Sequence, residues 1–513
     1  MNQSPKNIAI VGSGLVGALL AIYLRKAGHK ITVFDRRPDI RTVEFSGRSI
    51  NLAMSDRGWK ALAGAGIEPE VRKLAIPLYK RAMHVVGQPL YYQHYGKEGE
   101  AIWSISRGVL NRRMIDLAEA AGAVFRFEEK VWDVELPTAQ LFTGETEKGA
   151  WKAYQYDHIF GCDGAFSRIR HKMQRRSRFD YSQDFIDVGY KELTIPPNPD
   201  GSHKLDRHSF HIWPRGRFMF IAMPNLDGSF TCILFMPFEG EVSFEKLDTK
   251  KATRAFFTKY FPSVMQDIEN LCEDFFRNPT SALVTIKCYP WTYWDKVALV
   301  GDSAHAIVPF FGQGMNAGFE DIGTLYLWFS FIMLLIVVNV IAIILESVSD
   351  YQLAFGRWFW TLELISIAIF TVEYLTRLWV SVENPGYGNG WRGRLRYMVS
   401  PMALIDLIAI LPFYLSMFVS VDTRMLRILR LLRVFKLSRH FAVLGVLGTV
   451  MRNESKTLIS AIFVMVILVV LSASGIYVVE RHAQPDAFGS IPSAMWWATV
   501  TLTTVGYGDV VPM

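Results

Sequence analysis

Three glycines, at positions 12, 14 and 17, stand between two short apolar, β-branched runs, and their spacing is chemically specific. The first run is Asn7-Ile-Ala-Ile-Val11, the glycines lie in Gly12-Ser-Gly14-Leu-Val-Gly17, and a helical stretch follows through Lys26. The second run, Ile31-Thr-Val-Phe34, ends in Asp35. Strand, glycine turn, helix and strand, closed by an acid about twenty residues beyond the glycines, is a frame for a dinucleotide. Gly12 permits the tight turn, Gly14 lets the backbone approach a pyrophosphate, and Gly17 lets helix and strand pack closely. The helix N-terminus then faces phosphate charge, and Asp35 is placed to accept from a ribose hydroxyl, with Arg36 beside it in the cofactor-binding set.

Two further motifs follow the same logic. Asp157-His-Ile-Phe-Gly-Cys-Asp163-Gly164-Ala-Phe-Ser167-Arg-Ile-Arg170 is a strand ending in an Asp-Gly turn and running into a basic helix start. Val297-Ala-Leu-Val-Gly301-Asp302-Ser-Ala-His305 is another buried strand, followed by Pro309-Phe-Phe-Gly312-Gln-Gly314-Met315-Asn316-Ala-Gly318 before a helix. Either alone reads equally well as a strand-to-helix turn capped by Asp. In this order, after the first glycine motif, they resemble the aromatic-ring hydroxylase family of flavoprotein monooxygenases. That resemblance implies bound FAD, with Asp163, Gly164, Gly301 and Asp302 among its contacts, Asp302 on the ribityl chain, and Gly312, Gly314, Met315 and Asn316 against the flavin ring.

The segments Gly47-Arg48-Ser-Ile-Asn-Leu-Ala53-Met-Ser55, Trp103-Ser-Ile-Ser-Arg107 and Pro309-Phe310-Phe-Gly-Gln-Gly-Met-Asn316 are similar to the kynurenine 3-monooxygenase branch of that family, and the similarity extends over about residues 6–322. It implies cofactor contacts from Ala53 and Arg107. It also implies a substrate site in which Arg81 and Tyr95 grip the carboxylate of a kynurenine-like aromatic amino acid, with Phe310 nearby. By residue type alone, Arg81 reads as a surface cation and Tyr95 as a sheet aromatic. The resemblance further implies dioxygen as co-substrate and NADPH as electron donor, and since no second complete dinucleotide motif is present NADPH is expected to bind transiently. No residue is assigned as a catalytic acid or base; His305 reads as a turn residue beside Asp302. The family continues past Gly318-Phe-Glu-Asp321 with a helical region that closes the substrate pocket, so an open pocket is expected here, with FAD binding better supported than turnover.

The elements that must position these groups occupy only part of the chain. Mean hydropathy is +0.18 and net charge +7 over 513 residues, but residues 325–513 hold 14 Lys and Arg against 11 Asp and Glu, which leaves 41 and 37 in residues 1–324. About one residue in eight is charged in the second part and about one in four in the first: a membrane composition after an enzyme-like one. A wholly soluble chain, a disordered chain and a disulfide scaffold are excluded, and the modest positive balance does not point to nucleic acid. The cysteines at 162, 232, 272 and 288 all lie in the first part without Cys-x-x-Cys spacing, which suits reduced thiols in a cytoplasmic domain and offers no metal site. A strand-like run from Ile8 leaves no secretory signal.

Long apolar runs over 325–348, about 357–382, 400–420 and 457–479 are adequate to cross a bilayer, and a shorter one at 491–502 reads as a re-entrant helix. Arg424, Arg427, Arg430, Arg433, Lys436 and Arg439 recur at every third position between apolar pairs, forming a slowly winding stripe on a helix. A polybasic helix on anionic lipid spreads its cations over a broader face. The strict spacing fits a voltage sensor, in which each charge moved through the full field is worth about 2.3 kcal/mol per 100 mV. Glu363, Phe370 and Glu373 in the second run and Asp406 in the third resemble the countercharges and aromatic plug of voltage-gated potassium channels. Trp496-Trp-Ala-Thr-Val-Thr-Leu-Thr503-Thr504-Val505-Gly506-Tyr507-Gly508-Asp509 resembles their selectivity filter, whose glycines let backbone carbonyls face a potassium ion. A filter of four such loops implies a homotetramer.

The expected fold is multidomain. An α/β, Rossmann-like FAD-binding domain of aromatic hydroxylase type occupies residues 1–322, with a mixed substrate sheet at about 76–100 and 180–290. An all-α transmembrane voltage-sensor and ion-transport region follows, with four sensor helices at 325–440 and a partial pore at 441–513. Arginines at 392, 394 and 396, with Arg452 and Lys456, place their loops in the cytoplasm, hence a multi-pass membrane protein whose flavoprotein domain is cytoplasmic. The sequence stops five residues after Gly508, without the family's inner pore helix. Each half is expected to be incomplete at its C-terminal end. Three arrangements follow: a monooxygenase joined to a channel; a channel carrying the flavoprotein as a cytoplasmic sensor or passenger; or two neighbouring genes joined, with neither activity intact.

Overall fold

A computed structural model describes residues 5–43, 51–97, 99–144, 146, 149–176, 178–268, 270–308, 312–346, 348–381, 390–418 and 454–513. The chain divides into two compact units, Ser4–Leu437 and Ser438–Met513. In the first, a six-stranded sheet runs in the order Thr292–Tyr293, Val297–Leu299, His158–Gly161, Asn7–Val11, Lys30–Phe34, Val124–Arg126. All neighbours are parallel except the edge pair formed by Thr292–Tyr293. Parallel strands are covered on both faces, which is why Asn7–Val11 reads as a continuous apolar run. Its alternate residues serve two cores. Ile8 and Ile10 pack with Leu19 and Ile22 of the helix Leu15–Lys26, while Ala9 and Val11 pack with Ile159, Ile169 and Leu299.

The second sheet has seven strands, in the order Ser281–Tyr289, Asp180–Ile195, Phe230–Pro237, Phe218–Pro224, Ser209–Arg215, Lys80–Met83, Tyr91–His94. One face carries Trp213, Phe220 and Phe230 against Phe257 and Phe261 at the helix Lys250–Tyr260. The opposite face, with Phe210, Ile221 and Phe235, is the one Arg81 shares, since Arg81 registers beside Phe210 in the parallel pair. Residues 76–78, expected in this sheet, belong instead to the strand Ala75–Leu78 of a separate three-stranded sheet with Ile102–Ser106 and Asn51–Met54.

The helical segments fall where the apolar runs predict. Gly314–Glu346 is one helix of 33 residues, Ser349–Val380 follows with 32, and Gly390–Met398 and Pro401–Phe418 come next. In the second unit Ser455–Glu480 precedes the short helices Pro485–Phe488 and Ile491–Leu502. Among the described residues two helices are long and apolar enough to cross a membrane, at Asp350–Val380 and Thr457–Glu480, or three if Trp391–Met398 and Ala403–Leu415, bent by 78°, form one span. Gly314–Glu346 and Ser349–Val380 are joined by a buried hydrogen bond from Asn339 Nδ2 to Ser366 Oγ at 2.7 Å. The stripe from Arg424 to Arg439 lies outside the described residues.

On the helix-covered face of the seven-stranded sheet, His84 and His211 approach to 3.1 Å between ring nitrogens, and His84 stacks on Trp213 with centroids 4.0 Å apart. Burial, with the neighbouring His211 and Arg215, pushes His84 down to about 4. The folded state therefore holds this imidazole neutral where the unfolded chain protonates it. Stability is expected to be full above about pH 6.5 and to fall as pH drops towards 4. Denaturant titrations of the full chain across that window check this, and His84→Gln should flatten the slope.

Candidate functional site

The glycine turn is built by contacts that exclude a side chain. Gly12 has φ +109°, and a Cβ there would stand 2.3 Å from the Cys162 carbonyl oxygen and 3.0 Å from Asp163 Cα. A Cβ on Gly17 would meet the Gly12 carbonyl oxygen at 2.0 Å, so the helix Leu15–Lys26 sits on the turn only because residue 17 has none. At Gly14 a Cβ would meet nothing within 4 Å, which leaves room in front of the helix N-terminus. Asp35 closes the turn: its Oδ2 accepts from Ser13 N at 2.9 Å and Ser13 Oγ at 2.7 Å, and Arg37 donates from Nε and Nη2 to its two oxygens at 3.0 and 2.9 Å. Burial raises its pKa, but Arg37 and Ser13 outweigh burial and hold it at about 2. Arg36 is exposed.

Asp163 stands beside the same turn. Its Oδ2 accepts from Arg168 N at 2.7 Å, whereas its Oδ1 is buried with no hydrogen-bond partner, and burial pushes its pKa up. Gly164 takes φ +80°, the left-handed conformation an Asp-Gly turn uses. Gly301, at φ +66°, turns the strand Val297–Leu299 into Asp302. Burial raises the Asp302 pKa against the opposing charges of Arg107 and His305. Arg107 is the exposed first residue of the helix Arg107–Ala120, and its charge also reaches Tyr190 on the second sheet.

Asn316 binds the remaining pieces together. Fully buried, it donates from Nδ2 to the Ala53 carbonyl at 2.8 Å and accepts at Oδ1 from Ser55 N at 3.0 Å. Gly312, at φ +62°, passes so close to Ala53 that its own Cβ would stand 3.2 Å from that of Ala53. Gly314 begins the long helix, and Met315 is buried against the Ile8 and Leu19 core. His305 is more than a turn residue: its Nε2 lies 2.8 Å from Asp321 Oδ2, which also accepts from Gly301 N at 3.0 Å. That bond raises the His305 pKa.

Arg81 and Tyr95 do meet, the guanidinium lying 4.7 Å over the phenol ring. Burial raises the Tyr95 pKa although Arg81 opposes it, so the phenol stays a proton donor at neutral pH. Phe310 lies outside the described residues. Among the membrane candidates, Glu373 and Asp406 are both buried, and Arg377 bridges them at 2.5 and 2.9 Å. Phe370 is fully buried one helical turn before Glu373, and Glu363 is half-buried. In the other unit the indole of Trp496 donates to Asp509 Oδ2 at 2.9 Å and stacks on Tyr507 with centroids 6.0 Å apart. Thr504, Gly506 and Gly508 take φ of +58°, +63° and +72°, with Val505 and Tyr507 between them.

The family described as FAD binding domain matches residues 6–332. The chain belongs to the FAD binding domain family. The ion transport protein family matches residues 325–513, so an FAD-dependent monooxygenase domain is fused to an ion transport domain, and the two matches overlap within the helix Gly314–Glu346. Kynurenine 3-monooxygenase of Christiangramia forsetii is 73% identical over 323 residues, covering 63% of this chain and 72% of that protein. The enzyme of the same name from Flavobacterium psychrophilum is 67% identical over 324 residues, with the same coverage. That of Myxococcus xanthus is 46% identical over 326 residues, covering 63% and 70%. Among solved structures, 2-methyl-3-hydroxypyridine-5-carboxylic acid oxygenase matches with TM-score 0.52 at 18% identity, over 74% of this chain and 94% of that one. PqsL of Pseudomonas aeruginosa matches with TM-score 0.51 at 16% identity, over 77% and 99%. These two share the fold.

The residues present fit FAD. The bare Gly12–Gly14 turn, the space before the first helix and the orphaned Asp163 Oδ1 form a cradle that protein atoms leave unfilled. The motif reading missed Ser13 and Arg37, which fix Asp35, and Asp321, which fixes His305. Ser13 stood inside the glycine motif and Arg37 one residue past Arg36, but an ion pair to Asp321 across sixteen positions has no local signal. Gly17→Ala is expected to remove flavin from the purified chain, because a Cβ in contact with backbone costs about 1–3 kcal/mol or more. Flavin absorbance per chain reads it.

Proposed function

We propose that the FAD domain hydroxylates the ring of kynurenine or a close aromatic amino acid, using NADPH and dioxygen. The observation that carries this is the Arg81–Tyr95 pair on the face of the seven-stranded sheet opposite the helix Lys250–Tyr260, in a chain 73% identical to a kynurenine 3-monooxygenase over 323 residues. Arg81 offers a bidentate fork to a carboxylate, and Tyr95, protonated, donates a second hydrogen bond. Gly12, Gly14, Gly17, Asp35, Arg36, Ala53, Arg107, Asp163, Gly164, Gly301, Asp302, Gly312, Gly314, Met315 and Asn316 hold the cofactor. Bound FAD supplies the electron transfer from NADPH and the activation of dioxygen. The sheet would orient the substrate ring, with Phe310 as a further substrate contact.

Kynurenine should accelerate NADPH consumption by the purified flavin-loaded chain and yield a product heavier by one oxygen atom. No acceleration overturns the reading. Arg81→Met should raise KM for kynurenine roughly 10- to 100-fold, from loss of a charge-assisted hydrogen bond worth about 1.5–3 kcal/mol, while flavin content stays unchanged.

For the ion transport domain we propose a voltage-gated, potassium-selective function, with domain boundaries near 322–325 and 440. The alternation of left-handed Thr504, Gly506 and Gly508 with Val505 and Tyr507 supports a filter of backbone carbonyls, completed by four chains. Arg424 to Arg439 would be the sensor, countered by Glu363, Glu373 and Asp406 around Phe370. The chain would cross the bilayer several times with the flavoprotein in the cytoplasm. In proteoliposomes, voltage-driven potassium uptake should exceed sodium uptake at least tenfold, and Trp496→Phe, which removes the tie to Asp509, should erode that ratio. Equal uptake of the two ions overturns the reading.

A further inference from the structure

The face of the seven-stranded sheet that Arg81 shares changes character along its strands. Phe235 pairs with Tyr190, Ile233 with Glu192 and Thr231 with Thr194. The side chains on that face therefore run from aromatic to hydroxyl over four positions, about 13 Å at about 3.3 Å per residue. Against the polar end lies a cavity of about 380 Å³, bounded on its other side by Ile76, Ser104 and Ser106 of the three-stranded sheet. Ser104 pairs with Ala53, so this wall stands one strand from the residue that Asn316 holds.

The wall is fixed by its own hydrogen bonds. Asn51, 2% exposed, places Nδ2 at 3.1 Å from Ser104 Oγ, 3.0 Å from the Pro224 carbonyl and 2.9 Å from Asn225 Oδ1. Asn225 in turn donates to Ser229 Oγ and Thr231 Oγ1, both at 3.0 Å. The Oδ1 of Asn51 is buried behind this wall without a hydrogen-bond partner. Two carboxylates, Glu192 and Asp227, line the cavity against one cation, Arg112, whose guanidinium donates to the carbonyls of Ile40 and Val43. Hydroxyls, an amide and carboxylates suit a ligand that brings a diol and an amide, whereas a phosphate would face like charge. The volume sits at the low end of ligand cavities, roughly 300–1,000 Å³, which admits a nucleoside and excludes a whole dinucleotide.

We propose that this cavity seats the ribosyl-nicotinamide end of NADPH, with Glu192 accepting from the ribose diol and the Thr231 hydroxyl donating to the carboxamide. The phosphates and the adenosine remain outside it. The proposal rests on NADPH being the reductant. The test titrates the purified, flavin-loaded full chain with NADP+, nicotinamide riboside and adenosine 2′,5′-bisphosphate by calorimetry. Glu192→Gln should weaken NADP+ and nicotinamide riboside roughly tenfold or more, the loss of one charge-assisted hydrogen bond, and leave adenosine 2′,5′-bisphosphate unchanged. Thr194→Phe, at an exposed position on the cavity wall, should abolish nicotinamide riboside binding while flavin absorbance per chain holds, and it decides the matter if Glu192→Gln fails to fold. Unchanged NADP+ affinity in both variants overturns the proposal, as does a loss confined to adenosine 2′,5′-bisphosphate, which would put the other end of the dinucleotide here. Flavin lost in step with NADP+ marks a purely structural wall and overturns it too. A wild-type chain that binds no NADP+ overturns the NADPH reading instead, and this site with it.

Discussion

Asn316 carries the geometry of the flavin side of the chain. It is fully buried, and its amide reaches Ala53 and Ser55, more than 260 positions earlier, while it sits two residues inside the helix that Gly314 begins. A buried amide left without partners costs about 1–3 kcal/mol, so neither the strand Asn51–Met54 nor the helix can move without the other. The Gly312 turn, Asp302 and the Asp321–His305 pair are all tied to that helix or to the loop entering it. The first glycine turn answers from the other side, where Gly12 and Gly17 let strand, helix and the Asp163 loop close on one another without intervening side chains.

What was legible in the sequence is what backbone geometry demands locally. Gly12, Gly164, Gly301 and Gly312 all take positive φ, and a glycine at such a position announces itself whatever surrounds it. The strands Asn7–Val11, Lys30–Phe34, His158–Gly161 and Val297–Leu299 were readable as short apolar runs beside those glycines. Arg81 and Tyr95 were placed by resemblance and not by pattern, since nothing in their neighbourhood distinguishes a gripping pair from a surface cation and a sheet aromatic. The pairs Arg37–Asp35, His305–Asp321 and His84–His211 depend on which side chains the fold brings together. Residues 76–78 pair in a different sheet from the one expected, because a short apolar run marks a strand without naming its partner.

The helix Gly314–Glu346 has one set of polar anchors near its start and another near its end. Asn316 and Asp321 fasten it to the flavin cradle, and Asn339 fastens it to Ser366 of the next helix. Between them runs an apolar stretch, so one unbroken helix carries the chain out of the flavin domain. The two family matches overlap inside it, over residues 325–332. A junction placed within a helix needs no loop and leaves no register for a flexible linker to absorb.

Glu373 and Asp406, on two different helices, share one cation. Two buried carboxylates are tolerated in apolar surroundings because Arg377 lies between them, at 2.5 and 2.9 Å. Removing one member of such a cluster leaves an uncompensated buried charge, which is far more costly than exchanging one cation for another. Arg377, the cation between Glu373 and Asp406, is therefore the member of the cluster that ties the helices Ser349–Val380 and Pro401–Phe418 to one another.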